Sequence, residues 1–152
     1  MKPILNTIFE VNAQKVNAIL ARLTVENSQN RINPQTGTAG FYMRHIAEAQ
    51  IMLSKEFFGS AANLPYGKPF TLGVAADDGR LYDVEETKAL MESGYAAIQE
   101  AIKKLKKADW DTPKPTRFFG DITPLQGFSR LLNHNAHHCG QIELAIKKGE
   151  KV

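Results

Sequence analysis

Asn133-His134-Asn135-Ala136-His137-His138-Cys139-Gly140-Gln141 holds three of the chain's four histidines within five positions. On a helix of about 100° per residue, His138 falls about 40° from His134, and Leu131, Ile142 and Ala145 fall within about 80° of it. The two imidazoles therefore share the apolar, core-facing stripe. Residues four apart on one helix face have Cβ atoms about 6 Å apart, close enough for both rings to reach one ion. His137 falls about 60° to the other side, at the edge of that face, and ranks below the pair as a ligand. Cys139 falls about 140° away and reads as a small buried residue rather than a nucleophile.

The helix around this stretch has a clear start. Thr123-Pro124-Leu125-Gln126 puts a hydroxyl at the cap, proline at the first helical position and a glutamine where it can bond back. The helix runs to about Lys148, and Gly149 ends it. A third ligand has to come from elsewhere, and His45 is the remaining histidine. It lies in a segment expected to be helical from Thr36 or Thr38 to Phe58, stopped by Gly59. Phe41, Tyr42, His45, Ala49, Met52 and Leu53 share one face there. Three imidazoles facing a core are costly to bury unless something binds their nitrogens. His45, His134 and His138 are therefore the candidate ligands of a divalent ion. Three neutral nitrogen donors leave a coordination position open, as in catalytic rather than closed structural sites. They suit Zn²⁺, Ni²⁺ or Fe²⁺ without selecting among them.

Two more helices complete the pattern. Leu5, Ile8, Asn12, Val16, Ile19, Leu20 and Leu23 recur at helical spacing over Ile4 to Leu23, with Asn12 as a buried amide bonded across the core or a partner of a metal ligand. Val84, Met91, Gly94, Tyr95, Ile98, Ile102 and Leu105 make the stripe of a helix opening at Asp83-Val84-Glu85-Glu86. Lys103, Lys104, Lys106 and Lys107 crowd its far end and suit the helix dipole there. Residues Ser60 to Tyr82, with Pro65, Gly67, Pro69, Gly73 and Asp77-Asp78-Gly79, read as a long irregular connection. It is long enough to cross the bundle, making the helices it joins parallel, or to cover a pocket. Residues Ala108 to Ile122 read as a second connection, whose Trp110, Phe118 and Phe119 pin it to the bundle or line a pocket mouth.

Composition narrows the classes. The chain has 152 residues, 43% of them hydrophobic and 23% charged, as expected of one globular domain spanning 1–152. A net charge of +3 is mild, and no nucleic-acid recognition motif is present. The single cysteine excludes an internal disulfide framework and fits a reducing compartment, so a cytoplasmic location is expected. No apolar run is long enough to span a membrane, and no signal peptide is recognisable. A homodimer is compatible with a small bundle.

Phe41-Tyr42-Met43-Arg44-His45-Ile46-Ala47-Glu48-Ala49 resembles the second-helix motif of the DinB/YfiT-like metalloenzymes. Leu131 through Gln141 resembles their last-helix motif, in which a His-x-x-His-His run precedes Gly-Gln, and Asp121-Ile122-Thr123-Pro124-Leu125 resembles its approach. The family's three ligands map onto His45, His134 and His138. Cys139 stands where members usually carry arginine. The resemblance implies an all-α, four-helix bundle of up-down-down-up topology. It also implies a thiol-dependent S-transferase acting on a small electrophilic substrate, with a low-molecular-weight thiol bound to the metal as thiolate. Glu48, one turn beyond His45, is the candidate general base or an acceptor behind a ligand, and Tyr42 and Tyr95 are candidate pocket groups. The alternatives are a metal-dependent hydrolase or a non-catalytic stress-response protein whose metal holds two helices together.

Overall fold

The computed structural model describes residues 1–71, 77 and 80–151. Gly73, Asp78 and Gly79 of the expected irregular connection lie outside the described residues. Four long helices form the body: α1 (Lys2–Leu20), α3 (Ala39–Phe58), α4 (Val84–Lys104) and α6 (Pro124–Lys148). Two short helices, α2 (Val25–Ser28) and α5 (Lys107–Asp111), sit in the connections. Two antiparallel strand pairs accompany them: β1 (Asn30–Arg31) with β4 (Glu150–Lys151), and β2 (Lys114–Thr116) with β3 (Gly120–Ile122). No described helix is long and apolar enough to cross a membrane.

The helix ends follow their residues. Thr38 accepts a hydrogen bond from the Phe41 amide at the start of α3, and Gly59 closes it in the left-handed conformation (φ 70°) that glycine adopts without strain. Asp83 caps α4 by accepting from the Glu86 amide. Thr123 and Gln126 form the full reciprocal box at α6, with Pro124 at its first position. Gly149 also ends its helix as expected, but at φ −74°. Its use is space: a Cβ there would stand 2.4 Å from the Ala145 oxygen and 2.7 Å from the Arg31 oxygen.

Side-chain contacts set the helix directions. Arg44 reaches Glu86 and Gln50 reaches Met91, so α3 and α4 run parallel. His45 meets His134 while Phe57 abuts Gly127, so α3 and α6 are antiparallel. Asn12 meets Leu132 and Arg22 meets Glu143, so α1 and α6 are parallel. The order is up-down-down-up. The connection from α3 to α4 therefore has to return along a 20-residue helix, about 30 Å at 1.5 Å per residue.

Several expectations need correction. α1 ends at Leu20, and Leu23 enters the core from the turn that follows. Ile8 is 46% exposed, whereas Phe9 is buried edge-on against Tyr95, because the buried stripe steps through Leu5, Phe9 and Val16. α3 is buried nearly all round rather than on one face: Met43, Arg44, Ala47, Glu48, Gln50 and Ile51 are as inaccessible as Phe41 and Tyr42. Residues 108–122 form the second connection as expected, and α5 and the β2–β3 hairpin, which no pattern announced, occupy most of them. There Trp110 is fully buried between Phe58 and Phe128, and it anchors the connection.

The α3–α6 contact is closest at Gly127, where an added Cβ would stand 2.5 Å from Cγ of Phe57. Alanine gains about 1 kcal/mol of helix propensity over glycine. Overpacking against the base of a ring costs about 1–3 kcal/mol. Gly127→Ala should therefore lower the stability by a net of about 1 kcal/mol, read as a lower urea midpoint; an unchanged or raised midpoint would show that the two helices have room to part.

Candidate metal centre

α3 contributes His45, and α6 contributes His134 and His138 one turn apart. One ring nitrogen from each lies within 4.8 Å of the others. Nε2 of His134 is 2.9 Å from Nε2 of His45. Two nitrogens each about 2.05 Å from one ion are about 3.3 Å apart at the tetrahedral angle, so these two rings approach about as closely as two ligands of one ion. The ring centroids form a near-equilateral triangle, 4.8 Å from His45 to each of the others and 4.5 Å between His134 and His138.

Burial keeps these rings neutral. It pushes His134 down to about 3, helped by repulsion from His45 and His138. It pushes His138 down to about 4 against an opposing hydrogen bond to Gln141. His45 is lowered as well, again chiefly by burial. Neutral imidazole is the form that binds a metal, so ligation near neutral pH displaces few protons.

The nitrogens facing away from the triangle have their own surroundings. Nδ1 of His138 lies 2.6 Å from Oε1 of Gln141 and donates to it, which leaves Nε2 as the lone-pair nitrogen. His45 shares the cavity wall with Thr71, whose main chain favours the protonated ring and partly opposes the effect of burial. Nδ1 of His134 is buried without a partner. Tyr42 stacks on His138, centroids 5.1 Å apart, with its hydroxyl held by the Gly37 amide. Asn12 donates to the Leu132 carbonyl and accepts from Asn135, bonding across the bundle beside His134.

Glu48 is 1% exposed and lies behind His45. Its carboxylate accepts from Arg44 Nε (3.1 Å), Tyr66 Oη (2.6 Å), Thr71 Oγ1 (2.6 Å) and the amides of Phe70 and Thr71 (3.0 Å each). Burial alone would raise its pKa, but the Thr71, Tyr66 and Arg44 hydrogen bonds outweigh it and hold the group below the usual carboxylate value. Arg44 also reaches Glu86 on α4 at 2.9 Å and so ties two helices to the connection.

A cavity of about 190 Å³ opens beside the triangle. His45, His134, Glu48 and Thr71 line its inner wall. Met52, Leu53, Phe118 and Phe119 line the outer part, the last two from the β2–β3 hairpin and exposed. The remaining expected groups fall away from it. His137 is exposed and outside the triangle, although its ring lies 5.0 Å from that of His138. Tyr95 belongs to the α1–α4 contact, where its hydroxyl bonds Asn17 at 3.0 Å, and is not a pocket group. Cys139 is buried, and burial pushes its thiol up to about 11.

Four residues around the site carried no role in the sequence reading. Gln141 and Arg44 had a usable signal, since each stands three or four places from a partner on its own helix. Tyr66 and Thr71 had none, because the connection that carries them has no periodicity.

Fold and site together define a helical-bundle protein with a three-histidine candidate metal centre at the wall of an apolar cavity. The chain belongs to the DinB superfamily, whose family model matches residues 8–142. His45, Glu48, His134, His138 and Gln141 all lie within the match. No curated protein matches the chain.

His134→Ala and His138→Ala should each abolish stoichiometric binding of Zn²⁺ or Ni²⁺ in a calorimetric titration, while His137→Ala binds as the parent does. An equal loss from His137→Ala would remove this ligand set. Glu48 gives a pH prediction. Its folded pKa is depressed, so its contribution to stability is present above its unfolded value of about 4.5 and is lost as pH falls through the folded value. Denaturant midpoints should fall as the solution is acidified below about pH 4.5, less steeply in Glu48→Gln. Identical slopes would show that the carboxylate gains nothing from its partners.

Proposed function

We propose that the protein is a divalent-metal-dependent enzyme whose reaction joins a low-molecular-weight thiol to a small electrophile. The observation that carries this reading is the placement of neutral His45 and His134 on the inner wall of an apolar cavity, with His138 beside them. An ion held by the three nitrogens supplies a Lewis acid that favours the thiolate form of a bound thiol.

The chain's own residues support the rest. Met52, Leu53, Phe118 and Phe119 take the carbon skeleton of the electrophile and exclude water from it. The sulfur has to come from a separate molecule, because Cys139 is the single cysteine and is buried with a raised pKa. Arg117 and Arg130 stack on Phe118 and Phe119, 5.1 and 4.9 Å from the ring centroids, and offer a cationic rim to the carboxylates of a small cellular thiol. A reducing cytoplasm is the compartment that would supply such a thiol.

Metal-loaded and metal-free protein should be assayed on model aryl halides and epoxides with a panel of thiols. Turnover is expected only with metal and thiol together, and it should fall at least about 100-fold in His134→Ala, as expected for loss of a group that acts on the transition state. Turnover that depends on neither metal nor thiol would end the transferase reading. Metal-dependent ester cleavage without thiol would assign a hydrolase instead.

A further inference from the structure

The cavity at the histidine triangle does not end at its apolar wall. A second, open groove of about 420 Å³ adjoins it. Met52, Leu53 and Phe118 line both, so the two meet across these three side chains. The far part of the groove is lined by Lys55 and Glu56 from the last turn of α3 and by Pro115 and Arg117 from the β2–β3 hairpin.

The chemistry changes along this path. His45 and His134 stand at its inner end, apolar side chains line the middle, and charged ones stand at the outer end. His45 and Lys55 lie on one helix with a rise of about 1.5 Å per residue, so the path is about 15 Å long. The outer charges do not cancel. Glu56 accepts from the Arg117 main-chain amide, which engages its carboxylate in holding the hairpin to α3. Lys55 reaches a neutral acceptor, Oδ1 of Asn63, at 2.6 Å. The guanidinium groups of Arg117 and Arg130 lie over Phe118 and Phe119. Among the described residues, Lys55, Arg117 and Arg130 take part in no ion pair, whereas Arg22, Arg44 and Lys104 elsewhere do. Three cations facing one engaged carboxylate favour an anion at this end, and a guanidinium can hold a carboxylate by two parallel bonds.

We infer that the outer groove is a subsite for the carboxylate end of an elongated reactant. Lys55 and Arg117 hold the acid, Met52, Leu53 and Phe118 cover an apolar body, and the other end reaches the three histidines. This rests on the metal-enzyme reading above for what happens at the inner end. The acid belongs either to the thiol or to the electrophile of that reaction, and the last assay below separates the two.

The test begins without metal or turnover. Straight-chain alkanoates from hexanoate to dodecanoate, and the matching 1-alkanols, are titrated into metal-free, full-length protein by calorimetry. Affinity for the acids should rise about fourfold per added methylene until the chain spans the path, and then level off. Each alkanol should bind about tenfold more weakly than its acid. Lys55 and Arg117 are exposed, so the double variant Lys55→Ala/Arg117→Ala should fold as the parent does. It should bring decanoate down to the affinity of decanol and leave decanol unchanged. Acid and alcohol binding equally well to the parent would overturn the inference, as would a double variant that binds decanoate like the parent.

With metal-loaded protein, thiols and electrophiles are then compared with and without a terminal carboxylate. The double variant should raise KM for whichever reactant carries the acid and for no other. Turnover that shows no preference for an acid on either reactant would overturn the inference and keep the transferase reading. Chain-length-dependent acid binding in a protein without turnover would support the subsite and remove the transferase reading alone.

Discussion

Three half-buried imidazole rings meet between α3 and α6, and the surrounding structure is arranged to tolerate them. They lie at a polar waist between two apolar clusters. One contains Val16, Ile46, Met91 and Ile142, and the other contains Phe9, Phe57, Trp110 and Phe128. Asn12 and Asn135 occupy the same level and bond to each other. A buried polar group without a partner costs about 1–3 kcal/mol. Gln141 reduces that cost at His138, while Nδ1 of His134 stays unpartnered and the inner nitrogens face one another. The waist therefore costs folding free energy that an apolar layer would not. An ion that binds this arrangement and not the unfolded chain offsets that cost by mass action.

The Arg44–Glu48 pair raises a related question of balance. Both residues are 1% exposed, and burying a charge pair is not in itself a gain in stability. The pair becomes tolerable because its remaining hydrogen-bonding capacity is largely used, by Tyr66, Thr71, Phe70 and Glu86. What it contributes is location. An apolar contact would let the connection slide along α3, whereas a carboxylate with five fixed donors admits one register. That register places Thr71 in the cavity wall that His45 also lines.

Periodicity explains how much of this was legible in advance. The four long helices could be read because their caps and stripes are local: Thr123 with Gln126, Gly59, Asp83, and the spacing of His134 and His138. The pairing with His45 could be read because a core-facing imidazole needs a partner. Ile8 was misplaced because two adjacent apolar residues, Ile8 and Phe9, both fit a loose stripe, and the larger ring took the core. The all-round burial of α3 was hidden by Arg44, Glu48 and Gln50, whose polarity reads as a solvent face when their partners are unknown. The β1–β4 and β2–β3 pairs were invisible because two- and three-residue ladders leave no alternation to detect. Thr71 was out of reach for a different reason: its role depends on Glu48, 23 residues away, and not on any neighbour.

The parallel pairing of α3 and α4 gives the site its division of labour. A short loop cannot join parallel neighbours, so the chain has to return along the bundle. That return segment lies over the α3 face that carries His45, and Pro69 and Thr71 become part of the cavity wall. The β2–β3 hairpin supplies Phe118 and Phe119 to the opposite side. The candidate ligands thus stand on long packed helices, where their geometry is rigid, while Pro69, Thr71, Phe118 and Phe119 of the cavity wall come from connections, where residues change with little effect on the core. A bundle of this design can keep its histidines and change the shape of the cavity beside them by altering residues 60–71 and 114–122. What can reach the three rings is therefore set less by the rings than by Pro69, Thr71, Phe118 and Phe119 in the cavity wall.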